Sequence, residues 1–141
     1  MRRLYHVTLW HSDTREVADT PSGRGIALTL QQEFGPDGKI VPFFRYSYGD
    51  GGATPVRQAI ATGLGFEEPF GQNNDLIGLG FSWGQPADTL LRDQYVLEAF
   101  YRFQVTPHTN LTPDLQVIFD PSENPAEETI VVGGMRLRTL F

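Results

Sequence analysis

The chain has 141 residues, the length of one ordinary domain, and its 40% hydrophobic, 12% aromatic and 20% charged residues exclude disorder. No stretch approaches the roughly 18 uninterrupted apolar residues of a membrane-spanning helix, and a net charge of -6 without any run of Lys or Arg removes the attraction that nucleic acid requires. The lack of cysteine excludes disulfide scaffolds, thiolate metal sites and cysteine nucleophiles, while 15 Gly and 10 Pro between short hydrophobic stretches point to an all-β protein with many turns.

Arg2 and Arg3 have the charge of a signal-peptide start, but Tyr5 to Asp13 is no apolar core for one, so the chain as written is not expected to be exported by that route. From there on the dominant signal is alternation. It predicts eight strands, at 4–12, 24–34, 40–48, 55–65, 74–84, 94–106, 110–119 and 128–140. Soluble strands usually run to about 5 or 6 residues, whereas a tilted strand crossing a bilayer needs about 9 to 11, and the second length fits better.

In 24–34, Ile26, Leu28, Leu30 and Phe34 oppose Thr29, Gln31 and Glu33, and in 40–48, Phe44, Tyr46 and Tyr48 oppose Arg45 and Ser47. In 94–106, Leu97, Ala99, Tyr101, Phe103 and Val105 oppose Glu98, Phe100, Arg102 and Gln104. In 110–119, Leu111, Leu115, Val117 and Phe119 oppose Asp114 and Gln116. The last strand sets Val131, Met135, Leu137 and Phe141, with Gly133 and Thr139, against Arg136 and Arg138. One face is oily and the other polar.

The connections alternate as well. Those at 107–109 and 35–39 are short, and those at 13–23, 85–93 and 120–127 are longer and polar, as in outer-membrane barrels with short periplasmic turns and long external loops. The connection 66–73 is too long for this rule and 49–54 too short. An even strand number returns both ends to one side, which places Phe141 at the periplasmic interface among the aromatic girdles.

Alternation alone also suits a soluble β-sandwich, here one that binds carbohydrate. A third reading is a serine esterase: Gly80-Phe81-Ser82-Trp83-Gly84 satisfies the nucleophile-elbow pattern, with Asp93 and His108 following in hydrolase order. The elbow needs a strand, a sharp turn and a helix, whereas Gly78, Gly80 and Gly84 lie in an alternating strand and Pro86 follows in a polar loop. No catalytic residue is therefore assigned. Gly63-Leu64-Gly65 lacks the third glycine of a dinucleotide fingerprint, and His6, His11 and His108 lack metal-ligand spacing, so neither cofactor nor metal is expected. The sequon Asn110-Leu111-Thr112 opens a predicted membrane strand and is read as chance.

The segments Glu98 to Thr106, Leu111 to Ile118, Asp120-Pro121 and Gly134-Met135-Arg136-Leu137-Arg138 with Phe141 resemble the closing three strands of the carbohydrate-selective porins of the OprB type. Leu9 to Asp13, Gly25 to Leu28 and Asn74 to Phe81 resemble earlier strands of the same family, so the resemblance covers nearly the whole chain. It implies an all-β, antiparallel transmembrane β-barrel segment in which residues 1–141 form the C-terminal part, about half of a sixteen-stranded porin barrel. It implies an outer-membrane location, passive diffusion of carbohydrates as function, contact with outer-membrane lipid, and handling by the barrel assembly machinery through the strand that ends in Phe141.

On that reading the pore-lining and carbohydrate-contact candidates are Gln31, Glu33, Arg45, Glu98, Arg102, Gln104, Asp114, Gln116, Arg136 and Arg138. Four cations against three anions is a near balance that suits neutral, hydroxyl-rich solutes, and Trp10 or Phe100 would stack on a pyranose face. An eight-stranded sheet with open edges must close or find a partner in lipid, and closing on itself would fill its interior with side chains. Replacing Arg136 or Arg138 by Ala is expected to alter solute selectivity more than assembly. Leu137→Arg is expected to cost about 2 to 4 kcal/mol if that position lies near the bilayer midplane; equal folding losses at both faces in a denaturant titration would refute the assigned alternation.

Overall fold

The computed structural model describes residues 3–16, 19–71 and 74–140. Eight strands, β1 (Arg3–Ser12), β2 (Gly23–Gln32), β3 (Ile40–Gly51), β4 (Val56–Glu67), β5 (Leu76–Pro86), β6 (Gln94–Thr106), β7 (Thr109–Phe119) and β8 (Thr129–Thr139), form one antiparallel sheet in sequence order. Every predicted strand is present, with bounds displaced by at most three residues. The largest displacement is at β3, which continues through Gly49 to Gly51. Those glycines read as a turn, yet they pair with Gly25 and Gly23 of β2, because the Trp10 indole lies across Gly25 and Gly49 and leaves no room for side chains.

The sheet is a single layer. Among the described residues no aliphatic, aromatic or methionine side chain is buried, so the two-layer core that defines a sandwich is missing. The register instead sorts residues onto two open faces. From β4 to β8 one face presents rows such as Thr62, Phe81, Leu97, Val117 and Val131 and carries no charged side chain at all. On β1 to β3 the charges of that face, Arg3, His11, Arg24 and Asp50, stand only at strand ends. Leu97, Leu115 and Val131 are 48%, 52% and 63% exposed on it, as on the lipid-facing side of a membrane barrel.

Aromatic side chains on this apolar face aim their polar tips toward the strand ends. Trp83 Nε1–H donates to Asp93 at 3.0 Å and Tyr46 O–H to Gln58 at one end; Tyr101 O–H donates to Asp75 at 2.9 Å and Tyr5 O–H to Gln32 at the other. This is the disposition of two interfacial belts. Phe141 lies outside the described residues. The opposite face encloses cavities that bridge up to five strands, from Gln31 on β2 to Phe100 on β6, so the sheet curls around it. It is the concave face.

Both ends of the sheet's chain path lie on one side, with the connections 33–39, 68–75 and 107–108; the connections 13–22, 52–55, 87–93 and 120–128 lie on the other. The two exceptions seen in the sequence persist. The connection 68–75 is long but pinned: Glu68 N–H donates to the Asp75 carbonyl, and Phe70 stacks on Tyr101 at 6.1 Å. Asp75, 7% exposed, is the buried charged residue among those described. β5 begins only at Leu76, opposite Arg102, so the Gln104 amide has run past its neighbour, and the Asp75 carboxylate accepts from it at 2.8 Å in place of a strand carbonyl. The connection 33–39 is closed by a 3₁₀ turn over Pro36–Gly38 in which Gly35, Asp37 and Gly38 all adopt positive φ.

β1 pairs only with β2 and β8 only with β7, so the sheet stays open and does not close on itself. Leu137 is on the apolar face but third from the end of β8, paired with Leu111, away from the sheet's centre. The depth test therefore moves to Leu115, near the middle of β7. In the closed barrel Leu115→Arg is expected to cost about 2 to 4 kcal/mol, against less than about 1 kcal/mol for Gln116→Arg on the concave face. Unfolding by denaturant from lipid vesicles measures both.

Candidate functional site on the concave wall

The concave face is built by the other half of each alternation. Registered rows cross the sheet, and one runs Gln31, Phe43, Gly63, Gly80, Glu98, Gln116, Val132 from β2 to β8. A parallel row holds Thr29, Arg45, Ala61, Ser82, Val96 and Ile118. Gln31, Arg45, Glu98, Arg102, Asp114, Gln116, Arg136 and Arg138 all stand on this face.

Five of them meet around one cavity of about 270 Å³: Glu98, Arg102, Asp114, Arg136 and Arg138, joined by Asn110, Thr112 and Phe100. Arg136 and Arg138 face Thr112 and Asn110 across β7 and have no ion-pair or hydrogen-bond partner among the described residues, so their donors are open to a solute. Asp114 leans over the bare backbone of Gly134. Arg102 differs: its guanidinium donates to the Asn74 carbonyl at 3.3 Å and its Nε is buried without a partner, so one edge is committed to the 68–75 connection. Arg45 stands higher on the wall, its guanidinium 5.7 Å above the Phe43 ring.

Two candidates do not take part in this way. Gln104 turns its amide onto the Thr106 and Thr109 carbonyls and ties the β6–β7 hairpin. Glu33 lies beyond the end of β2, beside Gly38 in the 33–39 turn. Alternation gives direction but not the end of a strand, which is why both were counted with the wall. The structure adds Phe43, Asn110 and Thr112; Phe43 follows from the same alternation that selects Arg45.

Ser82 sits within the unbroken strand β5, with no helix after it, so no nucleophile elbow forms. Asp93 and His108 flank β6 at opposite ends, roughly 40 Å apart at strand rise, beyond any shared proton transfer. No group of three or more His, Asp or Glu suited to a metal occurs among the described residues. Among the described residues no helix is long and apolar enough to cross a membrane.

At the long-loop end Arg92 binds the backbone carbonyls of Asn124 and Glu127 and the Asp120 carboxylate at 3.3 Å, which joins 87–93 to 120–128. Acidic residues dominate that end: Asp13, Glu16, Asp19, Asp88, Asp93, Asp120, Glu123, Glu127 and Glu128 stand against Arg15 and Arg92. Glu33, Asp37, Glu67, Glu68 and Asp75 add to the acidic charge at the other end, so negative charge gathers most at the long-loop end and arginine lies on the wall between.

An open, single-layered antiparallel sheet with an apolar outer face, aromatic tips at both ends and a charged inner wall is a segment of an outer-membrane β-barrel. Residues 5–141 match the model of the carbohydrate-selective porin, OprB family, and the chain belongs to that family. Porin AaxA of Chlamydia pneumoniae is 31% identical over 106 residues, covering 70% of this chain and 24% of the relative. Porin AaxA of Chlamydia abortus is 28% identical over 131 residues, covering 87% and 29%. Among solved structures, OprB of Pseudomonas putida at high pH superposes with a TM-score of 0.74 at 19% identity, over 96% of this chain and 43% of that one. The chain thus spans 24% to 29% of the curated relatives it matches, and less than half of the solved porin.

At the short-turn end Lys39 Nζ lies 2.8 Å from the Glu68 carboxylate, and Glu67 N–H donates to the Lys39 carbonyl, coupling 33–39 to 68–75. The hydrogen bond and charge of Lys39 hold the Glu68 carboxyl below its ordinary 4.5, and Glu68 holds Lys39 above 10.5. A depressed carboxyl contributes stability that is present above 4.5 and lost as pH falls through the lowered value; a raised amine contributes stability present below 10.5 and lost as pH rises through the raised one. Hydrogen-exchange protection of the Glu67 and Glu68 amides is expected to hold between those limits and drop on the acid side, and Glu68→Gln to remove the acid step.

Proposed function

We propose that this chain forms the C-terminal stretch of wall of a channel for passive diffusion of carbohydrates across the outer membrane, and performs no covalent chemistry. The observation that carries the reading is the concave face, where unpaired Arg136 and Arg138 stand with Glu98 and Asp114 around one cavity while the other face of the same strands is free of charge. Guanidinium donors beside carboxylate acceptors suit hydroxyl groups, which donate and accept at once, and near-neutral balance disfavours no uncharged solute. Gln31, Arg45, Arg102 and Gln116 extend the lining; Glu33 and Gln104 belong to its lower rim.

On this reading the short-turn end faces the periplasm, β1 and β8 pair with further strands of the barrel, and the strand ending in Phe141 is what the barrel assembly machinery grips. Planar-bilayer recordings on the complete closed barrel test the channel. Ion conductance is expected, and its absence would refute the proposal. Arg136→Ala combined with Arg138→Ala is expected to shift the reversal potential in a KCl gradient toward cation preference, with the barrel's far-ultraviolet circular dichroism unchanged.

A further inference from the structure

β4 and β5 carry glycine at alternate concave positions, and the register sets them side by side: Gly63 faces Gly80, and Gly65 faces Gly78. Two adjacent pairs leave a block of wall without side chains. From both flanks an aromatic ring leans over that block. Phe43 of β3 covers Gly63, where a Cβ would stand 2.6 Å from the ring, and the Phe100 ring of β6 lies against Gly78. Gly80 stays bare, its nearest non-adjacent atom 4.0 Å from the Cβ position.

Glycine within a strand weakens it, and here no turn or positive φ requires the four. Gly63 and Gly78 make room for the two rings, and Gly80 leaves the floor between them open. The span from β3 to β6 is three strand spacings, roughly 14 Å, and a cavity of about 240 Å³ lies between the rings. Gln31 and Glu98 stand at its rim in the same registered row, and neither side chain has a hydrogen-bond partner among the described residues.

We infer that this trough is a stacking subsite for a single pyranose ring, an inference that rests on the porin reading above. A pyranose has flat C–H faces and a hydroxyl edge. The glycine floor lets the ring lie close to the wall with a C–H face against Phe100 or Phe43, while its hydroxyls donate to Glu98 and Gln31. An open-chain polyol of the same size offers hydroxyls but no flat face and gains only the polar part.

The test is block of ion current through the complete closed barrel by glucose and by sorbitol. In the unmodified channel glucose is expected to half-block at a lower concentration than sorbitol. Gly80→Ala places a methyl group on the floor, 4.0 Å from the nearest non-adjacent atom, and Phe100→Leu keeps apolar bulk but removes the flat ring. Each is expected to raise the glucose half-blocking concentration about threefold or more, with sorbitol block unaltered. Equal block by glucose and sorbitol in the unmodified channel, or unchanged glucose block in both variants, overturns the trough and leaves the channel reading intact. A closed barrel without ion conductance overturns both.

Discussion

A peptide group that enters hydrocarbon must find its hydrogen bond within protein, since an unpaired one costs several kcal/mol there. The rest of the architecture depends on that requirement. It explains why each strand is paired with its sequence neighbour along most of its length. It also explains why Asp75 replaces a missing strand carbonyl where β5 stops short of Gln104. The open edges at β1 and β8 are the one place where the described sheet leaves the requirement unmet. In the same environment the alternation of side chains becomes a division between lipid and water, so one backbone pattern fixes both the seal and the lining.

Much of this is legible in the sequence because the strand period is two and both faces are solvent-like extremes. A soluble strand at a domain edge tolerates mixed residues, but β6 admits no charge among Tyr95, Leu97, Ala99, Tyr101 and Phe103, so its parity is unmistakable. Strand ends are less legible. Gly49 to Gly51 carry the composition of a turn, and only the Trp10 indole lying over Gly25 and Gly49 shows why they remain in β3. The fates of Glu33 and Gln104 are illegible for the same reason: parity sends both inward, and the local turn then captures them. The glycine block is hidden in another way. Gly63, Gly65, Gly78 and Gly80 each look like a break in the pattern when read along one strand, and their meaning appears only across the register of β4 and β5.

The charge distribution has a comparable logic along the axis of the sheet. Arg45, Arg102, Arg136 and Arg138 lie on the wall, while the acidic excess gathers in the connections at the long-loop end. Formal net charge therefore describes the mouth more than the interior, and a chain that is -6 overall presents arginine donors to whatever reaches its wall.

Because each strand pairs only with the strands before and after it in sequence, the described sheet has no long-range closure within itself and no central core to disturb. A hairpin is then a modular unit, and its neighbours experience its loss or gain only at two seams. Barrel circumference in such a wall is a quantity that duplication or deletion of hairpins changes in steps of two strands. The parity that keeps both chain ends on one side survives every such step.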